Sequence, residues 1–160
     1  MMKQYTKPML AIYKLNAQAL MANIDSITES ECRKMPAENI NSMNWILGHI
    51  VLFRDNVLTI LGKLKLCSAE MERLYSNGNT ATDMNDGLNT NILIEKFNKS
   101  QSLIEFALEN PSAEALINDD TLEKISFYAF HETYHVGQTG IVRVLLKKPG
   151  AIKGPSRNSS

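Results

Sequence analysis

Three histidines in this chain of 160 residues are spaced in a way that suits metal binding. His131 and His135 occur in the pentapeptide HETYH, four residues apart, so on a helix their imidazoles lie on one face, one turn apart. That separation lets two imidazole nitrogens bind one metal ion at about 2.0–2.1 Å each. His49 is the third histidine of the chain, and helical spacing places it on the apolar stripe of an earlier helix.

The same pentapeptide matches the H-E-x-x-H signature of zinc peptidases, in which the glutamate is the general base. Those enzymes take a third ligand from a residue after the motif. From Val136 to Ser160 the chain contains no Asp, Glu, His or Cys, so the sequence does not predict a peptidase. We expect Glu132 to be a surface or interhelical carboxylate, or a hydrogen-bond partner of a ligand histidine.

His49 can supply the third ligand if it faces the histidine pair. Metal sites in helix bundles are built from inward side chains on facing helices, and three imidazoles leave an open position for water or substrate. The alternative is three separate histidines, each hydrogen-bonded in the core. Three histidines placed at random in this length give a pair four apart only about one time in thirty, which favours the metal site.

Helices must position these side chains, and the apolar periodicity predicts four long ones. They run from Met9 to about Ser30, from a cap at Asn41 or Ser42 to Gly62, from about Asn91 to Glu109, and from a cap at Asp120 to about Lys147. Residues 63–90 are a turn-rich connection in which LCSAEMERLY can form a short helix, and no stretch shows the alternation of a strand. The pattern predicts an all-α fold, a four-helix bundle with 63–90 as a crossover between the second and third helices. We expect one domain over 1–150 and a C-terminal tail over 151–160.

Composition narrows the classes of function. The 17 basic and 17 acidic residues give zero formal net charge, so nothing predicts a nucleic-acid partner. Two cysteines without a C-x-x-C pair are typical of a reducing cytoplasm. No signal-peptide pattern and no membrane-length apolar run are present. We expect a soluble cytoplasmic protein that binds neither nucleic acid nor membrane.

Two segments carry a resemblance to a known family. NWILGHIVLFRDNV contains His49, and FHETYHVGQTGIVRVLLKKPG contains His131 and His135. The second also carries Val136, Gly137, Gln138, Arg143, Pro149 and Gly150. Together they resemble the two motifs of the DinB-like superfamily of bacterial metal-binding four-helix bundles, over essentially the whole chain. The resemblance implies that the three histidines bind one divalent ion, commonly zinc or nickel, and that the protein is a homodimer.

The resemblance also implies an activity. Family members with known activity resemble thiol S-transferases or isomerases that use low-molecular-weight thiols such as mycothiol or bacillithiol, so a small thiol and an electrophile are the expected partners. Two alternatives stay open. One is a non-enzymatic metal-binding module with a sensing or stress-related role, and the other is a metal-assisted hydrolase that uses a bound water of lowered pKa.

Further side chains are candidates for supporting roles, beyond Glu132: Gln138, Asn56, Arg143 and Tyr128. Gln138 lies one turn after His135 and can hydrogen-bond a ligand or cap a buried polar patch. Asn56 shares the stripe of His49. Arg143 can bind a substrate carboxylate, but a salt bridge in the bundle or dimer interface is the stronger expectation. Tyr128 can donate a proton or simply pack.

Two other pairs of residues have structural interpretations. Arg54 and Asp55 are expected to form a solvated face of the second helix. Gly137 and Gly140 each cost a helix roughly 1 kcal/mol relative to Ala, which favours close helix approach at these positions rather than catalysis.

Overall fold

The computed structural model describes residues 3–76, 83–110 and 119–152. Within these ranges every regular element is helical, which confirms the all-α prediction. The helices are α1 (Lys3–Ile24), α2 (Glu29–Arg33), α3 (Met43–Ile60), α4 (Ala69–Tyr75), α5 (Thr90–Glu109) and α6 (Asp119–Leu145). None of these helices is both long and apolar enough to cross a membrane. Most of the predicted C-terminal tail lies outside the described residues.

The first predicted helix is two helices. α1 ends at Ile24, and Ser26 adopts a φ of 61°, which stops the helix. Thr28 then caps α2: its hydroxyl accepts a bond from the Glu31 N–H, and the Glu31 carboxylate accepts one from the Thr28 N–H. This reciprocal capping starts a new helix at a point where apolar spacing, through Ile27, continues the old one.

The other long helices lie close to their predicted positions. Ser42 caps α3 by accepting a bond from the Trp45 N–H, and Gly62, with a φ of 69°, follows the end of α3. α6 starts one residue earlier than the predicted cap, so Asp120 does not cap it. Asp120 lies in the first turn and its carboxylate pairs with Lys124 at 2.6 Å.

α1 and α3 each pack against both α5 and α6. The Asn44 side chain donates to Thr90, and further along both helices Arg54 donates to Gln101, so α3 and α5 run in the same direction. The connection between them, which contains α4, must therefore return along the length of the helices. Parallel neighbours cannot be joined by a short turn.

α3 and α6 run in opposite directions. The ring of Trp45, near the start of α3, lies 6.4 Å from that of His135, whereas the ring of Phe53, further along, lies 6.3 Å from that of Tyr128. The order of contacts is thus reversed on α6. This antiparallel pairing brings His49 level with His131 and His135.

A polar layer crosses the core between two apolar clusters. One cluster contains Trp45, Leu47 and Phe97, and the other contains Leu58 and Ile104. Between them lie the buried polar side chains of Arg54, Ser100, Gln101 and Glu132.

The expectation that Arg54 and Asp55 form a solvated face is wrong. Their exposed fractions are 1% and 3%. The Asp55 carboxylate accepts bonds from the backbone N–H groups of Leu66 and Cys67, which ties the start of the connection to α3. Both charges are tolerated in the interior because each is hydrogen-bonded there.

Candidate metal centre

α3 and α6 bring the three histidines together. One ring nitrogen from each of His49, His131 and His135 lies within 4.8 Å of the others, and the Nε2 atoms of His131 and His135 are 3.2 Å apart. Two imidazole nitrogens on one zinc ion at about 2.0–2.1 Å are separated by roughly 2.9–3.4 Å for angles between octahedral and tetrahedral. The observed spacing therefore suits a shared ion, and the cluster can hold one.

Hydrogen bonds orient two of the three rings. Nδ1 of His49 lies 2.7 Å from the Tyr75 carbonyl oxygen, and Nδ1 of His135 lies 2.7 Å from Oε1 of Gln138. Because a carbonyl oxygen only accepts, each Nδ1 carries the proton and donates it. Each Nε2 then carries a lone pair, which is the usual arrangement for a metal-binding histidine. Nε2 of His135 lies 3.2 Å from Nε2 of His131.

The cluster leaves a buried acceptor without a partner. His49 is fully buried, and its Nε2 has no hydrogen-bond partner among the described residues. A buried polar atom without a partner costs about 1–3 kcal/mol, and such atoms are rare in native structures. An ion shared by the three Nε2 atoms would satisfy all of them at once.

The protonation state of the rings also suits a metal. Burial lowers the pKa of His49 to about 4, although its bond to the Tyr75 carbonyl acts in the opposite direction. Burial and the neighbouring His135 lower the pKa of His131 to about 4, and burial lowers that of His135. All three imidazoles are therefore neutral at pH 7, as metal ligands must be.

Aromatic rings form the apolar walls of the cluster. Trp45 stacks on His49 with ring centroids 4.6 Å apart and an interplanar angle of 15°. Phe53 stacks on His131 at 4.3 Å and 27°. Walls of this kind exclude water and strengthen any electrostatic interaction inside.

Glu132, the acidic residue of HETYH, faces a different part of the core. Its two carboxylate oxygens accept bonds from Nε and Nη2 of Arg54 at 2.7 and 2.8 Å. The remaining guanidinium N–H groups donate hydrogen bonds to the Phe97 carbonyl, Ser100 Oγ and Gln101 Oε1. Glu132 is thus an interhelical carboxylate, because one residue along a helix rotates the side chain about 100° away from its neighbour.

Gln138 lies against His135, in agreement with its expected contact to a histidine. Arg143, in contrast, has a structural role. Its guanidinium donates to the backbone carbonyls of Asn23, Asp25 and Pro149. These bonds tie the C-terminal end of α6 to the end of α1. The predicted salt bridge of Arg143 is therefore replaced by bonds to backbone oxygens.

The other candidates lie at the periphery. Tyr128 is half-buried and its ring packs beside Phe53. Asn56 is half-buried and lines a surface pocket with Phe53 and Cys67. Phe53 therefore lies next to both Asn56 and Tyr128, and Phe127 also lies between Tyr128 and His131.

Two important residues were not predicted from the sequence. Tyr75, in α4, orients His49 through its carbonyl, and its hydroxyl donates to Asn44 and accepts from the Leu88 N–H. Gly48 permits this approach, because a Cβ atom there would overlap the Tyr75 ring. A glycine inside a helix is unfavourable by about 1 kcal/mol, so its presence in a predicted helix was the only sequence signal that Gly48 has a structural role. Nothing in the sequence connects Gly48 with Tyr75.

Comparison with models of protein families, with functionally characterised proteins and with solved structures finds no match for this chain. The interpretation of the site therefore depends on its geometry and chemistry.

Proposed function

We propose that this protein binds one divalent ion, zinc or nickel, through His49, His131 and His135 and acts as a metal-dependent thiol S-transferase or related enzyme. One observation carries the metal site: three neutral imidazoles converge, and the buried Nε2 of His49 has no hydrogen-bond partner in the described part of the chain. The hydrogen bonds that hold two of the rings favour binding through Nε2. The enzymatic part rests on the resemblance to DinB-like proteins.

The architecture supports the same proposal. A DinB-like four-helix bundle has a long crossover between its second and third helices. Here α3 and α5 are parallel neighbours joined by residues 61–89, and the histidines lie on α3 and α6. These features agree with the resemblance in helix order and in the position of each proposed ligand.

His49, His131 and His135 would hold the ion as neutral ligands that leave its double charge intact, and a bound ion would lower the pKa of a thiol beside it. The thiol sulfur then forms a bond to the electrophilic carbon, the leaving group departs with its electron pair, and the thiol proton passes to solvent. Trp45 and Phe53 exclude water from one side of the cluster. The half-buried edge of His131 leaves an approach for the small molecules.

The second candidate is a metal-binding module without catalysis. The hydrogen bonding of Glu132 favours it. Both carboxylate oxygens accept bonds from Arg54, so this carboxylate is not available as a general base. The same fact weakens the hydrolase and peptidase alternatives. In a module, the ion would join α3 to α6 and stabilise the fold.

Metal binding can be measured through Trp45, the single tryptophan of the chain, because it stacks on His49. We expect purified protein to contain one divalent ion per chain by elemental analysis, and nickel to quench the Trp45 fluorescence of the metal-free form. His49→Ala should abolish both results. Asn56→Ala, a half-buried polar change on the same helix, is the matched control and should retain them.

A screen of cysteine and glutathione with an aryl halide separates the two candidates. Metal-dependent turnover that is lost in His135→Ala supports the transferase. Metal-dependent stabilisation without turnover supports the module. If the purified protein contained no stoichiometric metal, and His49→Ala did not change its metal content, both candidates would be ruled out.

A further inference from the structure

α6 carries a second apolar face that its own bundle does not cover. Residues at alternating intervals of three and four form a stripe, which we call the α6 seam: Phe127, Phe130, Tyr134, Gly137, Ile141 and Val144. At 100° per residue these positions fall within an arc of about 100°. Spacing of this kind, averaging 3.5 residues, is the pattern by which one helix packs along another.

The seam is exposed to solvent. Its five large side chains are 56–70% exposed. Gly137 is at its centre, and a Cβ atom built there meets no described atom within 4 Å. The prediction of close helix approach is therefore wrong within this chain for Gly137, and Gly140 makes only an ordinary contact with Asn23. A glycine facing open space along an apolar stripe allows a helix from outside to approach closely.

The part of the seam on α6 lacks exposed charge. Between Lys124 and Lys147, the charged side chains of α6 are Glu132 and Arg143, and both are buried. α6 therefore offers a charged partner no complementary charge along the seam. An uncharged apolar stripe is complementary to an identical stripe brought against it by a twofold axis.

The size of the surface also suits a dimer. Ile12 and Leu15 of α1 extend the seam across the groove between α1 and α6, where Phe130 forms part of the lining. Since a large aromatic side chain contributes roughly 150–250 Å², the measured exposures amount to on the order of 800 Å² of apolar surface. The largest apolar patch of a typical monomer is about 300–600 Å², whereas a standard interface takes about 800 Å² from each partner.

We propose that two copies of this chain associate through the α6 seam, with Ile12 and Leu15 at its border. The resemblance implies a homodimer without indicating a surface; the exposed heptad stripe identifies one. The seam has a further consequence that rests on the proposed metal site. The rings of Phe127 and Tyr134 lie 6.2 and 5.1 Å from those of His131 and His135, so the second copy would pack against the rings that flank these two histidines.

Sedimentation velocity over a concentration series tests the seam, with or without metal. We expect the wild-type protein to sediment at twice the chain mass of 17.9 kDa. Phe130→Glu should weaken association by more than about 100-fold, because each dimer would bury two unpaired carboxylates. Phe106→Glu is the matched control: Phe106 is 60% exposed on α5, outside the seam, and should leave the dimer intact.

A second pair of variants shows whether dissociation is due to the lost interface rather than to unfolding. Ile141→Glu lies in the seam and Ile92→Glu lies on α5, and both isoleucines are exposed; melting curves establish that each variant is folded. A wild-type monomer at all concentrations would overturn the proposal. So would equal dissociation by the seam and control variants, or monomers that instead co-sediment with phosphatidylglycerol vesicles. Because these measurements need no bound metal, they can fail while the metal site survives.

Discussion

Two buried polar groups lie side by side between α3 and α6, and they are satisfied in opposite ways. Around Arg54, all five guanidinium N–H groups have acceptors, and both oxygens of Glu132 are used. Around His49, the buried Nε2 has no partner within residues 3–76, 83–110 and 119–152. The first group is complete among the described residues, whereas the second leaves one buried nitrogen open, and the cluster around it could hold a metal ion.

The contrast explains why adjacent residues of one motif have different roles. His131 and Glu132 are neighbours, yet one faces the histidine cluster and the other faces Arg54. A complete network has no capacity left for a ligand, so it contributes to folding and specificity. The histidine cluster instead contains three neutral imidazoles, two of them oriented by hydrogen bonds and one with an unpartnered nitrogen, a donor set that could hold a metal ion. The two groups should therefore respond differently to substitution.

The largest effect should come from breaking the complete network. Glu132→Gln leaves the Arg54 charge unpaired in the core, and breaking a buried ion pair in this way costs about 3–5 kcal/mol. Urea unfolding of the metal-free protein measures the loss. Glu123→Gln, an exposed change on the same helix, should be nearly neutral. If Glu132→Gln were as stable as wild type but catalytically dead, Glu132 would be a base rather than a structural partner.

A matched pair of glutamines separates the two groups. Gln138 accepts from His135 and Gln101 accepts from Arg54. Gln138→Ala should weaken metal binding by about 10–100-fold with little effect on the unfolding of the metal-free form. Gln101→Ala should lower the free energy of unfolding by about 1.5–3 kcal/mol and leave metal affinity unchanged. Isothermal titration with zinc, paired with urea unfolding, would reveal the opposite pattern if our assignment were wrong.

Gly48→Ala tests the support of His49 from α4. The new methyl group would displace the Tyr75 ring and with it the carbonyl that orients His49, so we expect roughly tenfold weaker zinc binding. Gly140→Ala, where the added atom makes an ordinary contact with Asn23, should bind zinc normally. Unchanged affinity in Gly48→Ala would show that His49 does not depend on Tyr75.

A further effect concerns pH. Burial lowers the pKa of His49 to about 4, below the unfolded value near 6.5. Between these values the unfolded chain binds more protons than the folded chain, so the stability of the metal-free protein should fall as pH decreases from 6.5 towards 4. Urea unfolding across this range measures the decline. A His49→Gln variant should show a shallower slope, and an equal slope would contradict the assignment to His49.

Individual residues show how far sequence reasoning reached. The four-residue spacing of His131 and His135 and the position of His49 on an apolar stripe were sufficient to predict the histidine cluster. The expectation for Arg54 was wrong, since a charged residue is normally exposed and its partners lie on α5 and α6. The role of Tyr75 was not visible at all, because a backbone carbonyl has no sequence signature.

The amino-acid sequence by itself determined three of the four long helices, the face on which each histidine lies and the apolar spacing of the α6 seam. These are local properties, set by the period of 3.6 residues per turn. Tertiary structure alone decided which side chains meet: Glu132 with Arg54, Tyr75 with His49, and the unpartnered Nε2 at the centre of the cluster. The physical reason is that periodicity defines a direction around one helix axis, whereas a binding site requires the relative position of several helices.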